Sequence, residues 1–266
     1  MKKQLFLLMV LALSLFSSCE EKIDLELGNT QTRVVIEGNL VTQMDRSYVR
    51  LSLTQDYFNN NAPVYITDAI VEISSTQGTV VFNYGNLGFY NGPPGYKPDT
   101  SLVYHLRVEV DGKEYTASST LYPMFEVDTN LIFEYKPASG FIEEGYAVTY
   151  YSIDSRLDEV FTLFNFGVND TLSEQNIIFS NVGIRKFETV PFELPFFRAQ
   201  SGDKVTLEFR SMDRPVATYL QALANLNNEA PGPFKTPPAN PPTNISGGAV
   251  GYFMATDIVR VNKIVP

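Results

Sequence analysis

Between Leu102 and Val110 the chain alternates without a break, with Leu102, Tyr104, Leu106, Val108 and Val110 on one parity and Val103, His105, Arg107 and Glu109 on the other. A period of two is the repeat of a pleated strand, whose successive side chains leave on opposite faces, and a helix cannot hold that apolar set together. Asp111-Gly112 follows directly and leads into Lys113-Glu-Tyr-Thr-Ala117. A two-residue connection of this kind needs positive φ, which glycine adopts freely, so the pair reads as a hairpin. Tyr48–Leu53 repeats the pattern, with Tyr48, Arg50 and Ser52 on the wet parity and Val49, Leu51 and Leu53 on the dry one. Arg33–Val41, Ala69–Ile73 and Thr79–Tyr84 add further strand-like runs. Together they predict about seven short strands over residues 31–123, the spacing of a β-sandwich.

Pro123 interrupts the pattern, and residues 124–266 read as a second β-rich domain. Its predicted strands are Tyr146–Ile153, Val160–Gly167, Asn176–Phe187, Val205–Arg210, Tyr252–Thr256 and Ile258–Ile264. One helix is predicted near 214–227, with Asp213 as its N-cap and Pro215 in its first turn, where a missing N–H costs nothing. Val216, Tyr219, Leu220, Leu223 and Leu226 recur at helical spacing and read as a packing face. Residues 231–248 are Pro-rich and aperiodic, a long loop. Composition agrees with a mainly β chain: aromatic residues are 13% of 266, all of them Phe or Tyr, with 16 Pro and 17 Gly for turns.

The N-terminus carries an address. Lys2 and Lys3 precede the apolar run Leu5–Phe16, which is too short to cross a bilayer and reads as a signal peptide over residues 1–18. Ser17-Ser18-Cys19 then places small residues before the one cysteine of the chain, the arrangement used for lipid attachment, with residues 19–30 as a tether. An acylated Cys19 leaves no thiol for redox chemistry or disulfides. Glu20 and Glu21 follow it at a place that resembles the export signal of cell-surface lipoproteins of the Bacteroidota, the alternative being a solvated tether. The net charge of -10, with no basic patch, argues against nucleic acid as a partner.

Catalytic signatures are missing from the sequence. His105 is the sole histidine and lies on the polar parity of its strand; no nucleophile elbow, metal-ligand spacing or phosphate-cradling glycine loop occurs. The expectation is a protein that is not an enzyme, with no cofactor and no metal. Acidic pairs such as Glu143-Glu144 and the Asp154–Glu159 run leave a carboxylate-dependent hydrolase as a remote alternative. In Gly85–Tyr96, Phe89, Tyr90 and Tyr96 are interleaved with Gly, Asn and Pro. Such rings either meet a ligand or partner or cover the end of the sandwich.

Cys19-Glu-Glu-Lys-Ile-Asp-Leu25, Val34-Val-Ile-Glu-Gly38, the Val108–Ala117 hairpin, Tyr219-Leu-Gln-Ala-Leu223 and the closing Pro238–Phe253 segment together resemble a family of Bacteroidota outer-membrane lipoproteins that carries a domain-of-unknown-function label. The N-terminal half is also similar to the transthyretin-like and immunoglobulin-like modules attached to carboxypeptidases and TonB-dependent receptors. The resemblance implies a lipid-anchored outer-membrane protein, typically encoded beside a TonB-dependent receptor, and carries no catalytic residues. The function expected from it is an accessory or ligand-binding partner of such a receptor, the alternative being a structural or adhesive surface protein. Within the closing segment, Asn240 and Asn244 can bond neighbouring backbone, and Gly247 and Gly248 allow tight reversal, so these four read as a structural clamp.

Overall fold

The computed structural model describes residues 32–55, 61–173, 176–228 and 240–266. The segment expected to be a signal peptide, Cys19, Glu20, Glu21 and most of the Pro-rich loop lie outside the described residues. Residues 32–266 form one compact unit, mainly β with one helix among the described residues. In chain order the first strands are β1 (Val34–Val41), β2 (Tyr48–Leu53), β3 (Ile70–Ser75), β4 (Gly78–Tyr84), β5 (Phe89–Asn91), β6 (Leu102–Val110) and β7 (Lys113–Leu121). There follow β8 (Glu126–Val127), β9 (Ile132–Lys136), β10 (Gly145–Ile153), β11 (Phe161–Val168), β12 (Thr171–Leu172), β13 (Ile177–Ser180), β14 (Thr189–Glu193) and β15 (Lys204–Met212). The helix α1 (Arg214–Asn228) and the strands β16 (Val250–Thr256) and β17 (Ile258–Ile264) close the chain.

The first layer is an eight-stranded sheet in the order β16-β1-β2-β5-β4-β3-β6-β7. Strand β4 joins its two parts, pairing with β3 through Gly78–Phe82 and with β5 through Asn83 and Tyr84. The sheet thereby folds over one core: Ile36, Leu40, Val49 and Leu51 from one part meet Val71, Ile73, Leu106 and Val108 from the other. The alternation in β6 appears as designed by its sequence, with Tyr104, Leu106 and Val108 inside and His105 outside.

Two features depart from the expected organisation. Residues 31–123 do not complete their own sheet, because β16, drawn from the far end of the chain, pairs in parallel with β1 from Val35↔Val250 to Val41↔Thr256. No local pattern announces such a pairing, since its partners are more than 200 positions apart. In addition, the predicted strand Asn176–Phe187 is interrupted: only Ile177–Ser180 pairs with β11, and after a turn the chain moves to the other sheet as β14.

The second half encloses a separate core between a four-stranded sheet (β14-β10-β8, with β9 on β10) and a five-stranded sheet (β12-β11-β15-β17, with β13 on β11). Tyr150, Phe164 and Phe209 lie at its centre, the last two stacked with centroids 4.7 Å apart. Helix α1 packs Val216, Ala217 and Leu220 against Met212, Leu163 and Met254, so its buried stripe is concentrated in the first turns, and Leu223 is 38% exposed.

Asp257, between β16 and β17, is where the chain passes from one sheet to the other. Its Oδ1 accepts from Thr42 Oγ1 at 2.6 Å and its Oδ2 from the Met124 N–H at 2.8 Å, while its own N–H donates to Ser211 Oγ at 2.9 Å. One residue thus bonds the first sheet's loop, the 122–125 connection and β15.

Candidate ligand-binding face

The sequence places Phe89, Tyr90 and Tyr96 in one loop, but the structure separates them. Phe89 and Tyr90 belong to β5, inserted between β2 and β4. Tyr90 is 1% exposed, and its hydroxyl accepts from the Ala69 N–H at 2.9 Å and donates to the Ile66 carbonyl at 3.2 Å. Tyr96 packs edge-on against Phe82, and burial raises its phenol pKa to about 12. Tyr90 is therefore corrected from a ligand contact to a core residue, and Tyr96 to a partly buried ring packed on the core. Period-two reading missed β5 because three residues are too few to show an alternation.

Phe89 faces the other way, onto the outer surface of the β16-β1-β2-β5 part of the sheet. Strand register puts Tyr252, Glu37, Arg50 and Phe89 side by side across four strands, a row of roughly 14 Å at the usual interstrand spacing. The next row holds Asn39 and Tyr48. The Arg50 guanidinium lies over Phe89 (4.9 Å) and Tyr65 (5.0 Å), and its Nη2 donates to the Tyr65 hydroxyl at 2.7 Å. Tyr48 meets Phe89 edge to face at 5.2 Å. From the helix, Tyr219 approaches Tyr252 with centroids 5.4 Å apart, and the Tyr252 hydroxyl accepts from Asn39 Nδ2 at 3.2 Å. Rings from two strands, a terminal strand and the helix converge on one face, each half-buried.

Electrostatically the centre of this face is Glu37. Its carboxylate lies 3.8 Å from Arg50 Nη1, is 45% exposed, and accepts no hydrogen bond from a described residue. Burial first, and the Glu37 charge after it, raise the phenol pKa values of Tyr48 and Tyr219; burial raises that of Tyr252 to about 12. All three are neutral hydroxyl groups at physiological pH.

Four other polar clusters have their charges paired. A recess of about 420 Å³ on the outer face of β3, β6 and β7 contains His105, with Asn244 and Ser246 on its rim. Its one guanidinium, Arg107, is held by Glu72 at 3.0 Å and Glu114 at 2.7 Å, with Glu109 as a third partner. Asp154 is 4% exposed and takes Arg156 through both oxygens, at 3.0 and 2.8 Å. Glu208, 1% exposed, is clamped between Arg210 and Arg260. Glu159 pairs with Arg214. Among the described residues no group of three His, Cys, Asp or Glu side chains is placed to hold a metal ion, and no helix is long and apolar enough to cross a membrane.

The closing segment bonds the outer edges of both β16 and β7. Asn244 Oδ1 accepts from the Phe253 N–H at 3.0 Å while its Nδ2 donates to the Phe253 carbonyl at 2.8 Å, the pairing of a neighbouring strand made by one side chain. Ile245 bridges to Ala117 and the Ser246 N–H donates to the Thr116 carbonyl at 2.7 Å. Gly247 and Gly248 turn the chain at φ 80° and 84°, and a Cβ on Gly247 would lie 2.7 Å from the Glu114 carbonyl oxygen. Asn240 is exposed and stands apart from these bonds.

The fold and this face define a mainly β protein with an aromatic outer sheet surface. The sequence model of one family, described as a domain of unknown function (DUF4249), matches residues 20–260, and the chain belongs to that family. No curated protein matches the sequence.

Proposed function

We propose that the chain is a non-enzymatic outer-membrane lipoprotein, anchored through Cys19 and facing the cell surface, that serves as an accessory or ligand-binding partner of a TonB-dependent uptake receptor. The observation that carries this reading is the face around Glu37: aromatic rings and a half-exposed carboxylate, 3.8 Å from Arg50 and accepting no hydrogen bond from a described residue, turned outward, whereas the buried Asp154 and Glu208 are bonded tightly by arginine. Such a face binds and holds; it has no base positioned next to a nucleophile. The match to the family begins at residue 20, the residue after Cys19, which supports processing at that point. Stable retention then follows from several acyl chains, since each buried CH₂ contributes about 0.8 kcal/mol.

The test is affinity purification of a C-terminally tagged chain from detergent-solubilised outer membranes, followed by mass spectrometry. A stoichiometric TonB-dependent receptor in the eluate is the expected result. Recovery of the acylated chain with no receptor, together with unchanged uptake in a deletion strain, would sink the proposal and favour an adhesive role.

A further inference from the structure

We infer that the row Tyr252, Glu37, Arg50 and Phe89, with Tyr48 and Tyr219 beside it, binds a neutral oligosaccharide, a ligand class that rests on the reading of the chain as a ligand-binding protein. Partly exposed rings offer apolar surface to the C–H faces of sugar rings, and a few polar groups among them fix orientation. Here the polar groups are an acceptor and a donor side by side. Glu37 has free carboxylate lone pairs, and Arg50 Nη1 stands 3.8 Å away, too far for a direct hydrogen bond. A sugar hydroxyl can donate to the first and accept from the second, which closes that gap.

Charge balance and backbone argue against the competing chemistries. Arg50 is opposed by Glu37 at 3.8 Å and Arg210 by Glu208 at 2.7 Å, so neither a cationic nor an anionic ligand meets an uncompensated partner charge on this face. A peptide that adds as a strand needs a free edge for its main chain, whereas β1 and β2 are interior strands, and on the edge strand β16 Asn244 already bonds the Phe253 N–H and carbonyl. A neutral, hydroxyl-rich ligand meets none of these obstacles. The row crosses four strands, a span of roughly 14 Å that exceeds a single sugar ring and suits a short chain of them.

Native gels cast with laminarin, xylan, galactomannan or dextran, run with the full chain purified in detergent, test this without any receptor present. Retardation by at least one polysaccharide is expected, weakened at least about tenfold, the equivalent of 1.4 kcal/mol, in Glu37→Gln and in Tyr48→Ala. Glu37→Gln keeps the shape of the side chain, so it preserves the test if the tyrosine variant fails to fold, and thermal melting of each variant checks that point. Migration unaffected by all four polysaccharides, or retardation that both variants retain, overturns the inference. So does binding of poly-lysine in place of the polysaccharides. Failure here leaves a receptor found by affinity purification standing, and failure of that purification leaves a retarded band standing.

Discussion

At the residue scale, the buried ion pairs decide more about stability than about chemistry. Asp154 is opposed by burial, but the hydrogen bonds and charge of Arg156, with Lys186 at 3.8 Å, hold its carboxyl below the usual value of 3.8. A carboxylate with a depressed folded pKa stabilises the native state above its unfolded pKa, and that contribution is lost as pH falls through the folded value. Arg156 also bonds the Pro123 carbonyl at 3.3 Å and lies over Phe125 at 5.2 Å, so the pair fixes the connection between the halves. Asp154→Asn is expected to destabilise by about 3 to 5 kcal/mol at pH 7, because it leaves a buried guanidinium without its counterion. Urea titrations at pH 7 and near pH 3 check this, the gap between variant and parent narrowing in acid. The partnership itself was hidden in the sequence, where Asp154–Glu159 is a charged run that looks like a solvated turn. Only the fold shows that Asp154 points inward.

Helix α1 shows what an element owes to its surroundings. Asp213 caps it as its sequence suggests, Oδ1 accepting from the Val216 N–H at 3.3 Å, but Oδ2 also accepts from the Thr120 N–H of β7 at 3.1 Å. The cap is thus a tertiary bond as well as a local one. Asp213→Ala is expected to cost about 2 kcal/mol, the upper end for caps, since an additional N–H loses its acceptor. Differential scanning calorimetry reads this as a lowered melting temperature; an unchanged melt would show that neither bond contributes. The helix ends, cap and apolar spacing were legible because they are local. Which part of the stripe is covered was not legible: Val216 is fully buried while Leu223 is exposed, because the sheet beneath extends under only the first turns. Strand β5 makes the same point. Three residues have no readable period, and although β4 is only a turn away, their pairing with Tyr48–Arg50 of β2 joins segments separated by the whole of β3 and β4.

For the whole molecule, the return of β16 to β1 makes the two halves one folding problem. Gly251 is central to this contact: at φ 109° it lies against the backbone of Ile36, and any Cβ would collide with the Ile36 carbonyl. A fragment ending at residue 123 therefore lacks the strand that covers β1 and the 244–246 segment that covers β7, and exposes both edges. Such a fragment, residues 32–123, is expected to show no cooperative thermal transition by circular dichroism, whereas residues 32–266 unfold in a single one. A cooperative melt of the fragment would mean that β16 is dispensable. The sequence alone determined the class of fold, the strands long enough to alternate, the Asp111-Gly112 hairpin and the helix, because these follow from contacts between residues close in the chain. The tertiary structure alone decided that Tyr90 is core while its neighbour Phe89 faces out, that β16 completes the first sheet, and that Glu37, Arg50, Tyr219 and Tyr252 share one surface. Those outcomes depend on register and on pairings across more than 200 residues, where side-chain pattern carries the propensity of a strand but not the identity of its neighbour.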